Sequence, residues 1–109
     1  MGTYIIQVLT TVDRREIADA IARSLVEARL AACVQVIGPI GSTYRWNGAI
    51  ETSEEWLCLI KTTADRYGTI EEEIRRIHPY ETPEILATPV VAGSTDYLTW
   101  LAASLEPEA

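Results

Sequence analysis

The apolar positions change their period several times along the chain, and the order of those changes predicts the fold. Residues Tyr4 to Thr10 (YIIQVLT) are apolar, rich in β-branched side chains and free of charge, the pattern of a buried strand. Asp13 with Glu16 three residues on is a capping-box pattern, Asp standing where Ser or Thr is usual. Ile17, Ile21, Leu25 and Ala28 then recur at helical spacing, which predicts a helix from about 14 to 29. Ala31 to Ile37 reads as a second strand. Gly38, Pro39 and Gly41 interrupt it, and the extended pattern resumes over Ser42 to Trp46, so a bulge or bend is expected between the two. Asn47-Gly48 is a strong hairpin signal, because a type I′ turn needs positive φ at both central residues.

The return strand runs from Ala49 to Thr62 and ends in the apolar run WLCLI. A second helix is predicted over 64–77, with Tyr67, Ile70, Ile74 and Ile77 as its apolar stripe and Pro79 as its terminator. Pro83 to Val91 is the fourth strand, and prolines at 83 and 89 argue for an edge position or for a break in pairing. Ser94 caps a last helix whose inward positions are Tyr97, Leu98, Leu101 and Leu105. The order β-α-β-β-α-β plus a C-terminal helix is the α+β, ferredoxin-like pattern, read here as a single domain over 1–109.

The central hairpin is too long for such a domain. A turn at 47–48 sets Trp46 opposite Ala49 and gives two arms, 32–46 and 49–63, of 15 residues each. Fifteen residues at ~3.3 Å each span roughly 50 Å. A globule of this length has a radius of gyration near ~13 Å, hence a diameter of about 35 Å. The tip, roughly 41–54, is therefore expected to overhang the sheet and to pair or pack with another subunit, since an isolated two-stranded arm is marginal in water. The same register puts Cys33 opposite Thr62 and Cys58 opposite Ile37, which is too far apart for a disulfide and leaves two buried free thiols.

Composition narrows the function. The chain has 9 Lys+Arg against 16 Asp+Glu, a formal charge of −7, which disfavours a phosphate-backbone partner. No apolar run approaches the ~20 residues of a membrane span. The first residues carry no basic region of a secretory signal, so the cytoplasm is the expected compartment.

The densest group of functional side chains is His78-Pro79-Tyr80-Glu81-Thr82-Pro83-Glu84, a loop that holds the only histidine. His78 reads either as a metal ligand or proton carrier with Glu81 as its companion, or as a helix-end histidine favourable to the dipole. Lys61 is the only lysine, at the end of WLCLI, where it could bind an anion, pair with Glu81, or reach solvent. Trp46, Trp56 and Trp100 could line a pocket or anchor a subunit seam. No nucleophile motif, P-loop, dinucleotide fingerprint or tight metal motif is present, so an enzyme is not expected.

Leu30-Ala31-Ala32-Cys33-Val34, Tyr44-Arg45-Trp46-Asn47-Gly48, Lys61-Thr62-Thr63, His78-Pro79-Tyr80-Glu81-Thr82-Pro83-Glu84 and Asp96-Tyr97-Leu98-Thr99-Trp100-Leu101 together resemble the CutA family of divalent-cation tolerance proteins. The resemblance runs along essentially the whole chain. It implies a homotrimer whose hairpins wrap neighbouring subunits, and an architecture like the PII signalling proteins, with effector clefts between subunits. It implies a role in tolerance of copper and other divalent metals, with copper(II) or another divalent cation as the bound group. In copper-binding members the ligands include a cysteine near the end of the first strand and two adjacent histidines. Those positions are Thr10, Ile77 and His78 here, and only His78 is of ligand type.

Two readings follow. One is a trimeric cation-tolerance protein with metal at His78 and Glu81 in the inter-subunit cleft. The other is a sensor binding a small anionic metabolite in the same cleft, lined by Cys33, Trp46, Lys61, Tyr80, Tyr97 and Trp100.

Overall fold

The computed structural model describes residues 4–107. Its elements are β1 (Ile5–Val12), α1 (Arg15–Glu27), β2 (Cys33–Trp46), β3 (Ala49–Thr63), α2 (Tyr67–Ile77), β4 (Ile85–Pro89) and α3 (Thr95–Leu105), with a 3₁₀ turn, Ala64–Arg66, leading into α2. The four strands form one antiparallel sheet in the order β2-β3-β1-β4, the ferredoxin-like arrangement. The short β4 is an edge strand; it runs only over Ile85–Pro89 rather than from 83 to 91, so Pro89 is its one proline and Pro83 falls in the loop before it.

Period-two alternation decides which face is covered. Ile6, Val8 and Val12 of β1 and Cys58 and Ile60 of β3 point toward Ala18, Ile21 and Leu25 of α1 and Ile70 and Ile74 of α2, forming the buried core. Ser24 and Arg76 both bond Glu73, tying α1 to α2. Helix α3 starts on the Ser94 hydroxyl, which accepts from the Tyr97 amide. At its other end the Arg29 and Arg66 guanidiniums donate to the carbonyls of Ser104 and Leu105, satisfying acceptors that a helix end leaves open.

The hairpin turns as expected, with φ of 50° at Asn47 and 80° at Gly48 and Trp46 opposite Ala49. Strand β1 pairs only with Trp56 to Thr63 of β3, so Ala49 to Glu55 have a neighbour on one side alone. That arm stretches the molecule to 49 × 26 × 23 Å. The register shifts between Ile37 and Ile40, where Gly38-Pro39, joined by a cis peptide, stand opposite the single residue Trp56. The glycine is required there, since a Cβ at position 38 would lie 2.2 Å from Trp56 Cδ1.

Several expectations are corrected. The bulge moves the pairing by one residue, so Cys33 faces Lys61 and Cys58 faces Val36. Both thiols are free, yet only Cys58 is fully buried. Asp13 caps nothing; Arg14 is the N-cap of α1 and gives no side-chain cap. Tyr97 is 40% exposed rather than inward, because Leu101 and Leu105 alone fill the buried side of α3.

Candidate functional site

An open groove of about 750 Å³ lies between the projecting arm of the hairpin and the loop after α2. One wall is Ser42, Thr43, Tyr44 and Trp46, and the other is Tyr80 to Glu84, with Glu55 between them. The loop is held at both ends by one residue of β1. His78 Nε2 lies 2.8 Å from the Thr11 carbonyl oxygen, and the Thr11 hydroxyl sits 3.5 Å from Glu84 Oε1. In the middle, the Tyr80 hydroxyl donates to Glu55 Oε2 at 2.7 Å. Glu55 is only 6% exposed, next to the bulge where the hairpin leaves the sheet.

The electrostatics follow from burial. His78 is 8% exposed, and desolvation holds its imidazole below the ordinary value against the pull of the Thr11 carbonyl. The Tyr80 phenol is pushed well up, first by desolvation and then by its bond to Glu55. Three carboxylates, Glu55, Glu81 and Glu84, line the groove, and no lysine or arginine does. Even so, among the described residues no three His, Cys, Asp or Glu side chains are placed to hold one metal ion.

The structure divides the predicted site residues into two groups. Trp46, Tyr80 and Glu81 share the groove. Cys33 and Lys61 are direct cross-strand partners farther along the sheet, and Tyr97 of α3 meets Cys33. The Tyr97 and Trp100 rings stand 5.5 Å apart beside them. Lys61 and Glu55 are six residues apart on one strand, roughly 20 Å, so Lys61 is not brought to Glu81; its ammonium bonds Gln35 instead. Sequence reasoning missed Thr11 and Glu55, and gave Glu84 no role within the loop it singled out. Glu55 had a signal: one step before the apolar run WLCLI, alternation places it on the same side of β3 as Leu57 and Leu59, where a charge calls for a partner.

Copper at His78 does not fit this chain. A carbonyl only accepts, so Nε2 carries the hydrogen toward Thr11. The Tyr80 amide donates to Nδ1 at 3.2 Å, so the remaining lone pair is also taken. Thr10 is buried in the core with its hydroxyl unpartnered, and the Ile77 side chain packs against the core.

Fold and site define an α+β domain with a projecting hairpin and an acidic groove along the hairpin's arm. Comparison with known proteins gives the family. The family model for the CutA1 divalent ion tolerance protein matches residues 6–104. The chain is 45% identical to the divalent-cation tolerance protein CutA of Thermus thermophilus, covering 86% of this chain and 91% of that one. It is 44% identical to Protein CutA of Mus musculus over 84% of this chain, spanning about half (51%) of the mouse protein. The structure of CutA from Xylella fastidiosa superposes with a TM-score of 0.90 at 38% identity, over 94% of this chain and 98% of that one. The chain belongs to the CutA1 divalent ion tolerance family.

Proposed function

We propose that this protein acts in divalent-cation tolerance as a homotrimer, with a cation such as copper(II) held in the groove beside the hairpin once a second copy closes it. The observation that carries the reading is the lining of that groove: Glu55, Glu81 and Glu84, with no basic side chain. An acidic cleft attracts cations and repels anionic metabolites. Carboxylates too dispersed to hold an ion within one chain would need donors from a neighbour, which is what the projecting arm supports. Two free thiols suit a reducing compartment, and the cytoplasm is the proposed location. A second reading places a small anion at Lys61. It is favoured by the absence of any carboxylate bonded to Lys61 among the described residues, and by the Tyr97–Trp100 pair nearby.

Native mass spectrometry with and without copper(II) tests the proposal. The expected species has three times the mass of the 12.1 kDa chain and takes up copper saturably, above the level of an acidic control protein. Glu81→Gln combined with Glu84→Gln should abolish that uptake. A monomer would overturn the assembly, and an unchanged trimer without uptake would overturn the cation site. A metabolite-induced thermal shift lost in Lys61→Ala would establish the second reading instead.

A further inference from the structure

We infer that His78 is a positioning residue, a tautomer-fixed strut that sets the loop wall of the groove, and that it ligates no metal in this protein. The geometry is a three-point attachment. The His78 ring donates from Nε2 to the Thr11 carbonyl at 2.8 Å and accepts the Tyr80 amide on Nδ1 at 3.2 Å. The ring also meets the Tyr80 ring edge-on, with centroids 4.6 Å apart and planes at 69°. Tyr80 passes the constraint on to Glu55, at the root of the hairpin, through its hydroxyl. Thr11 receives the other end of the loop through Glu84. A lysine or an ordinary amide-free side chain could not replace this ring. It must offer one donor to a carbonyl and one acceptor to an amide at the same time, and neutral imidazole does so across its two nitrogens.

A metal at either nitrogen would have to displace one of those bonds. At Nδ1 it would leave the Tyr80 amide without its acceptor. At Nε2 it would replace the hydrogen and leave the Thr11 carbonyl unpaired in a buried site. Either change releases the loop that forms the groove. The inference stands whether or not a cation binds in the groove, since it concerns how the wall is held.

The chain has one histidine, so a nitrogen-15 spectrum of the full protein contains one imidazole. The expected spectrum is that of the neutral ring with hydrogen on Nε2, unchanged when equimolar zinc(II), a diamagnetic probe, is added. Hydrogen exchange at the Tyr80 amide gives the second readout. His78→Ala should speed it at least tenfold, and His78→Gln, which keeps a donor and an acceptor, should speed it less. The ring with hydrogen on Nδ1, or a zinc-induced coordination shift at either nitrogen, would overturn the inference. So would unchanged Tyr80 exchange in His78→Ala. If His78→Ala does not fold, the spectrum of the unaltered protein decides alone.

Discussion

On the side of the sheet turned toward α1 and α2, Ile6, Val8, Val12, Cys58 and Ile60 are all buried. On the other side, Ile37 and Leu86 keep 45% and 58% of their surface, and Leu9, Leu57 and Leu59 are half-buried. Both sides are apolar, yet α1 and α2 cover the first broadly while α3 reaches the second only toward its Cys33 end, where Tyr97 meets Cys33. Strand β3 shows the difference most plainly, because WLCLI alternates a covered and an uncovered residue without ever becoming polar. An unbroken apolar run is the mark of a strand buried on both faces. A sheet face meant for water reads apolar-in, polar-out. Away from α3, the second face is therefore composed like a core without one, which agrees with the proposed trimer and with an arm that outruns its own sheet.

Paired truncations give the largest test. Ile60→Ala, on the covered side, should cost about 2–5 kcal/mol of unfolding free energy by denaturant titration. Leu59→Ala, one residue away on the open side, should cost markedly less if that face meets water. A loss as large as that of Ile60→Ala, growing as the protein is diluted, would show that another copy covers it. Gly38→Ala comes next. It forces a methyl group into the Trp56 indole, and overpacking of this kind costs about 1–3 kcal/mol. Gly41→Ala, where nothing stands within 4 Å of the new carbon, is the control and should be nearly silent.

The elements were legible because each relied on local chemistry: the Asn47-Gly48 turn, the Ser94 cap, the apolar stripe of α2 and the proline, Pro89, that suits β4 to an edge. Errors arose where tertiary packing outweighed a local pattern. The Asp13 box lost to a strand that runs on to Val12 and a helix that starts after Arg14. The Cys33 and Cys58 pairings were one residue off because a bulge consumes a residue that counting back from the turn does not see. The site was only half legible. Tyr80, Glu81 and Trp46 do converge, but Lys61 and Cys33 belong to another part of the sheet. Thr11 carries no sequence signal at all, since its contribution to His78 is a backbone carbonyl. No reading of side chains can reveal a ligand of that kind.

The covered side should also govern the response to pH. Burial, and secondarily Asp19, raises the Cys58 thiol from 9.0 to about 11. The folded state thus holds this proton more tightly than the unfolded chain, so its contribution is complete below pH 9 and is lost as pH rises toward 11. Chemical denaturation across that window should show falling stability, and Cys58→Ala should flatten part of the slope. Some slope should remain, because Tyr67, Tyr80 and Tyr97 are shifted in the same direction. At the acid end, hydrogen bonds from Arg76 and Ser24 lower Glu73 to about 2. Its contribution is present above 4.5 and declines as pH falls toward 2. That pair is near solvent, so the acid limb should be shallow and weaken with salt. On the same covered side, the Thr10 hydroxyl is buried without a partner. Thr10→Val keeps the shape and removes the unpaired group, and should raise stability by about 1 kcal/mol. No gain would mean that water reaches Thr10, and that the covered side is less dry than its apolar neighbours suggest.

The smallest effect, and the sharpest for the comparison, is expected at the hairpin tip. Ile50 is 62% exposed on an arm with no third strand beside it. In a solitary chain, Ile50→Thr exchanges one β-branched residue for another on an open surface, and should change stability by no more than about 0.5 kcal/mol. The same substitution in a trimer would remove an apolar contact from between subunits. Sedimentation velocity of Ile50→Thr, alone and with Tyr44→Ser, separates the two cases. A normal melting curve with a shift toward lower mass would show that the arm's apolar side chains serve association rather than folding. An unchanged mass with an unchanged melting curve would mean that the tip is held by backbone pairing alone, and that the case for the trimer rests on the open sheet face.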